Sequence, residues 1–246
     1  MSAAVSGCSV ELFKPERRGP IPLADRMRPA AFEEYVGQEE ILGAGQPIAK
    51  VLASGAPPPS LILWGPPGSG KTTLARLLAA KLALPHVPFS AVTSGIKEVR
   101  EAIGMAAARR AQDGKPTLLF IDEIHRFNRS QQDAFLPHIE DGTIILVGAT
   151  TENPSFELTA PLLSRCRVPV LRPLNETEIR TILERALKDP SRGLGELNLM
   201  VELAALEWIA RMSHGDAREA LNLLELAVKA DSLTLAGVQA GGPELL

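Results

Sequence analysis

Aromatic residues are scarce, at 4% of the 246-residue sequence. No basic stretch is interleaved with them, which argues against a surface that stacks the bases of a nucleic-acid strand. Cysteine is scarcer still: Cys8 and Cys166 lie far apart, without metal-ligand spacing. That excludes a disulfide framework and fits a reducing compartment. The four histidines, His86, His125, His138 and His214, are spaced for no metal cage. Excess charge of one sign is also lacking. With 26 basic and 29 acidic residues the net charge is −3, so this is no protein that coats nucleic acid by overall positive charge. A nucleic-acid partner has to be met by a local patch or by a surface made in an assembly. No apolar run approaches the roughly 20 residues that cross a bilayer. The opening MSAAVSGCSVELFKPERRG has no apolar core and is no secretory signal. A cytoplasmic chain without membrane contact is expected.

What is present is the composition of an ordinary soluble protein, 45% hydrophobic and 22% charged. Residues 1–20, broken by Pro15, Gly19 and Pro20, read as a flexible tail. The proline-rich stretch 53–59 leads into a short apolar run at 61–64, and similar runs follow at 117–121 and 144–149. Weaker ones cover 87–91 and 168–171. All read as buried strands. Stretches of helical period at 72–82, 98–112 and 130–139 alternate with them, which implies a parallel sheet covered on both faces. The pattern changes after Pro173. Asn175 and Glu178 form a capping box ahead of Ile179, Ile182, Leu183, Ala186 and Leu187. Two further helices are expected at 200–212 and 216–230. The reading is an α/β domain at 21–172, a small all-helical domain at 173–230, and a tail at 231–246 with nothing packed behind it.

The segment Gly65-Pro66-Pro67-Gly68-Ser69-Gly70-Lys71-Thr72 matches the phosphate-loop pattern G-x-x-x-x-G-K-[ST] in full. Its glycines let backbone N–H groups turn inward around phosphates. The helix that follows, beginning near Thr72 and Thr73, presents its positive end to the same anion. Lys71 is placed to reach the β- and γ-phosphates of ATP, and Thr72 to hold Mg²⁺. A second element is needed for the metal. Leu118-Leu119-Phe120-Ile121-Asp122-Glu123 supplies it, with acids at the carboxyl end of a strand, where open α/β sheets bind ligands. Asp122 is the candidate magnesium ligand, through water. Glu123 is the candidate base for the attacking water.

The order of phosphate loop, acidic strand end, polar strand end, late arginine and helical lid resembles the AAA+ P-loop ATPases. The strings at 23–29 (LADRMRP), 62–68 (ILWGPPG), 122–128 (DEIHRFN), 130–133 (SQQD) and 148–154 (GATTENP) narrow the likeness. They resemble the replication-associated recombination protein A family, to which the eukaryotic Werner helicase-interacting protein belongs. The likeness covers roughly residues 21–230. It implies sensor 1 at Thr151, with Thr150 the alternative, and sensor 2 at Arg218. It implies that Arg165, in Ser164-Arg165-Cys166, enters a neighbouring subunit's site. Adenine is expected against Asp25, Met27, Arg28, Pro29, Val36, Gly37 and Ile41.

The same resemblance implies DNA as partner, at forks or single-strand/duplex junctions, with Lys97 and Arg100 as candidate phosphate contacts. Glu98 and Glu101 sit among them, so a solvated helix face with ion pairs fits equally well. Arg109, Arg110 and the segment 126–129 are further basic positions. Replisome proteins such as single-strand-binding protein are implied partners, and the family is described as tetrameric through a C-terminal domain. This chain stops about where such a domain begins, which predicts a largely monomeric chain with weak turnover. Competing readings are a clamp-loader subunit, a nucleotide-gated scaffold at stalled forks, and a small-molecule kinase, the last disfavoured by Arg165 and Arg218.

Overall fold

A computed structural model describes residues 21–93, 95–230 and 233–239. The expected tail at 1–20 lies outside the described residues, as does most of 231–246. Five strands, β1 (Ser60–Trp64), β2 (His86–Ser90), β3 (Thr117–Asp122), β4 (Ile144–Thr150) and β5 (Cys166–Arg167), form a parallel sheet in the order β2-β3-β4-β1-β5. Central strands buried on both faces need apolar side chains at every position, and all seven residues of β4 are buried.

The strand alternation divides those side chains between two layers. Leu61, Leu63, Leu118, Phe120, Ile145 and Val147 pack with Leu74, Ala75 and Leu78 of α2 (Lys71–Lys81), beside α1 (Pro47–Ser54). Ile62, Leu119, Ile121, Ile144 and Leu146 face the other way, onto Val99, Ala102, Ile103 and Ala106 of α3 (Ile96–Asp113).

Two expected elements are interrupted, each at a proline. The helix predicted over 130–139 is two pieces, Arg129–Asp133 and Leu136–Glu140. Pro137 has no N–H to continue the helix, and the Phe135 N–H bonds to the Gln132 carbonyl instead, at 3.2 Å. The strand predicted at 168–171 is replaced by β5 at Cys166–Arg167 and a single bridge from Val170 to Trp64. Pro169 lies between them and can only accept, taking the Trp64 N–H at 3.1 Å.

The lid packs α4 (Glu176–Lys188), α5 (Leu203–Met212) and α6 (Ala217–Lys229) around Leu183, Ile209 and Leu224. Its core reaches beyond the predicted limits at both ends. Leu23 and Met27, from the Leu23–Arg26 helix and its cap, are buried in it, and the Leu23 N–H donates to Glu225 Oε2 at 3.2 Å. Val238 is 1% exposed in the same core. The Glu202 carboxylate accepts the Leu235 N–H at 2.8 Å and turns the chain inward. The stretch assigned to an unpacked tail thus has a core residue, because an apolar side chain there completes the helical layer.

Candidate active site

The sheet's carboxyl edge and the lid enclose one cleft, and the loop from β1 to α2 forms its floor. That loop turns through left-handed conformations at Gly68 (φ 65°) and Gly70 (φ 97°). Both positions are also closely covered. A Cβ on Gly68 would collide with the Asp216 carboxylate, and one on Gly70 with the Tyr35 ring. Glycine is required twice over.

Pro67, Gly68, Ser69, Gly70, Lys71, Thr72 and Thr73 line the cleft together with Asp122, Glu123, Thr151 and Arg218. Residues from four separate parts of the sequence therefore meet on one cleft. Gly65 and Pro66 stand behind the wall, where their carbonyls accept hydrogen bonds from Lys71 Nζ at 2.7 Å each. Burial lowers the Lys71 pKa, while the charges of Asp122, Glu123 and Asp216 pull it up and Arg218 adds to the lowering. Lys71 is thus a buried cation set among acids. Thr72 and Asp122 offer hard oxygens on the same cleft. Among the described residues no group of three or more His, Cys, Asp or Glu could cage a metal. The Thr72 hydroxyl and the Asp122 carboxylate are oxygens of the kind that a hard cation such as Mg²⁺ takes beside waters and phosphates.

The geometry separates the two threonines. Thr151 lines the cleft. Thr150 is 0% exposed, and its hydroxyl lies 2.8 Å from His125 Nδ1 and accepts the Glu152 N–H at 3.0 Å. Arg218 sits in the first turn of α6, whose N-cap Asp216 accepts the Arg218 and Glu219 N–H groups. An arginine beside the positive end of a helix is locally unfavourable; here it faces the cleft. Arg165 lies elsewhere, exposed and paired with Glu140, and donates to the Pro161 carbonyl at 2.8 Å. It does not line its own chain's cleft.

Met27, Arg28, Pro29 and Val36 form the wall where adenine is expected. Gly37 and Ile41 do not line it. Gly37 packs against Leu174 and Glu178, and Ile41 is in the core beside α1 and α2. Asp25 pairs with Arg28 at 2.6 Å. Sequence reasoning missed Tyr35, Leu174, Ile182, Arg185 and Leu221, which line the cleft, and Gln38, which stands behind it. Gln38 is 1% exposed. Its Nε2 donates to the Ser69 and Arg172 carbonyls, and its Oε1 accepts the Arg172 N–H at 3.1 Å. One side chain thus joins the phosphate loop to the segment leading into the lid. Lys97 and Arg100 are exposed on α3, and among the described residues neither makes an ion pair. Glu98 instead accepts the Gly95 N–H at 3.0 Å.

The comparisons with known proteins agree with this architecture. Residues 61–174 match the "ATPase family associated with various cellular activities (AAA)". A "Replication-associated recombination protein A" of Haemophilus influenzae is 56% identical over 207 residues, covering 84% of this chain and 46% of that protein. The chain belongs to the replication-associated recombination protein A family of AAA+ ATPases. "ATPase WRNIP1" of Dictyostelium discoideum is 47% identical over 210 residues, covering 85% of this chain and 24% of that one. Among solved structures, the Thermotoga maritima RuvB Holliday junction branch migration motor superposes with a TM-score of 0.68 at 30% identity. That match covers 87% of this chain and 72% of RuvB. The chain spans about half the length of the bacterial relatives it matches. No described helix is long and apolar enough to cross a membrane.

Proposed function

We propose that this chain is the ATPase core of a DNA-dependent protein of fork maintenance and recombination, hydrolysing ATP to ADP and phosphate at interfaces between its copies. The observation that carries the reading is the convergence of Lys71, Thr72, Asp122, Glu123, Thr151 and Arg218 on one cleft. Backbone N–H groups of the phosphate loop and Lys71 hold the phosphates. Thr72 and, through water, Asp122 would hold Mg²⁺, which supplies charge neutralisation on the phosphate oxygens. Glu123 accepts a proton from the attacking water and orients it. Thr151 lies where a polar side chain can contact that water or the γ-phosphate. Arg218 ties the lid to the nucleotide. Adenine lies against Met27, Arg28, Pro29 and Val36. Arg165, which faces away from its own cleft, acts on the nucleotide of a neighbouring copy, and such arginines are worth about 10³–10⁵ in rate. Lys97 and Arg100 contact DNA phosphates at a fork or single-strand/duplex junction. A cytoplasmic, nucleoid-associated location goes with that partner.

The test is ATP turnover measured with and without forked DNA. Stimulation by forked DNA is expected, together with loss of nucleotide binding in Lys71→Ala and bound, uncut ATP in Glu123→Gln. Turnover indifferent to every DNA structure would overturn DNA dependence. Ordinary turnover in Glu123→Gln would remove Glu123 as the base.

A further inference from the structure

His125 sits between Glu123 on the cleft wall and Thr150 buried behind it, and neither the phosphate loop nor the acidic strand end accounts for it. Its ring is largely buried, with a side-chain exposure of 9%. Nε2 is 3.3 Å from Glu123 Oε2, and Nδ1 is 2.8 Å from Thr150 Oγ1. Glu123, with φ at 54°, turns sharply out of β3, and a 3₁₀ turn at Ile124–Arg126 returns His125 beneath it.

We infer that His125 is a positioning residue that holds the Glu123 carboxylate and ties it to the tip of β4. This rests on Glu123 being the base. For a neutral ring, the proton count gives the direction of the relay. Thr150 Oγ1 accepts the Glu152 N–H at 3.0 Å and has one proton to give. Its possible acceptors are His125 Nδ1 at 2.8 Å and the Glu152 carbonyl at 3.3 Å. The closer one, Nδ1, takes it. The neutral ring then carries its proton on Nε2 and donates to Glu123 Oε2. The other neutral tautomer would set an imidazole lone pair against a carboxylate, which is repulsive. The chain therefore runs from the Glu152 N–H through Thr150 and His125 to Glu123, each donor meeting an acceptor.

The consequence is coupling. Thr151, which lines the cleft, follows Thr150 directly in the chain, so a shift of the β4 tip on contact with the nucleotide moves Thr150 and through it the base. One Glu123 oxygen is restrained by His125. The other is left for water.

Histidine tautomers can be read by nitrogen NMR on ¹⁵N-histidine-labelled protein without ATP or DNA. His125 is expected in the Nε2–H form, and an Nδ1–H form overturns the inference. In steady-state ATPase measurements, His125→Ala is expected to lower kcat about tenfold or more while KM for ATP stays within about threefold. Thr150→Val, which keeps the shape but loses the proton, is expected to produce a similar loss. The double variant is expected to fall no further than the worse single one. His125→Gln, which retains an acceptor for Thr150 and a donor for Glu123, should recover most of the rate. Additive losses, an effect on KM alone, or no recovery by glutamine would overturn it. Ordinary turnover in Glu123→Gln would sink the base assignment while leaving the tautomer result standing.

Discussion

At the scale of single residues, two glycines separate local conformation from packing. A Cβ on Gly45 (φ 89°) would meet nothing within 4 Å among the described residues, whereas one on Gly68 (φ 65°) would meet Asp216. Gly45→Ala should cost only the left-handed penalty, about 1 kcal/mol. Gly68→Ala adds a collision with the lid and should weaken ADP binding by at least about tenfold. Urea unfolding and titration calorimetry of both variants check this. Equal nucleotide affinity in the two would show that the loop and lid yield without cost. Gly68 is also a residue whose role can be read in the sequence, because a contiguous motif encodes it. Gly68, Gly70, Lys71 and Thr72 specify their own backbone and chemistry within a few positions, and Asp122-Glu123 follow directly on their strand. Tyr35, Gln38 and His125 have no such signature. Tyr35 reaches Ser69 across 34 positions, Gln38 reaches Arg172 across 134, and His125 reaches Thr150 across 25. Their roles exist only once the sheet has brought those strand ends together.

At the scale of elements, legibility followed capping and periodicity. The box at Asn175 and Glu178 is in place, with Asn175 Oδ1 accepting the Glu178 N–H at 2.9 Å and Glu178 Oε2 the Asn175 N–H at 2.8 Å. Asn175→Ala should therefore destabilise the lid by about 1 kcal/mol, measured by thermal unfolding. The elements misread were those where a proline cuts an otherwise regular pattern, as Pro137 and Pro169 do. Apolar periodicity there continues while the proline takes one backbone donor out of the regular hydrogen bonding. The connection between elements carries a stronger prediction. Gln38→Leu keeps the size of the side chain but leaves the Arg172 N–H and the Ser69 and Arg172 carbonyls without this partner. An unmet buried polar group costs about 1–3 kcal/mol, so a stability loss of about 2 kcal/mol or more is expected in denaturant melts. A neutral result would mean water replaces the amide.

For the whole molecule, the sequence separates an α/β body from a helical lid, yet the body's first residues are built into the lid. Leu23 and Met27 lie in the lid core, and Glu34 makes a bidentate pair with Arg192 at 2.9 and 3.0 Å. Glu178 is held likewise by Arg172 at 2.6 and 2.7 Å. Hydrogen bonding to those guanidinium groups pushes both carboxyl pKa values below their ordinary range. Each pair therefore contributes fully above the unfolded carboxyl pKa and is lost as pH falls through the lower folded value. Both are partly solvated, and their effect should be modest. The sheet edge has a greater influence. Burial lowers the His86 pKa from 6.5 to about 4, and its buried Nε2 has no hydrogen-bond partner among the described residues. The unfolded chain thus takes up a proton near pH 6.5 that the folded chain refuses until about pH 4. Stability is complete above the first value and declines toward the second, by about 2 kcal/mol between pH 7.5 and 5. His86→Phe removes the titrating group and should flatten that part of the profile. Denaturation midpoints of parent and variant across this range decide it. An equal decline in both would place the sensitivity elsewhere, in the carboxylates that join lid to body.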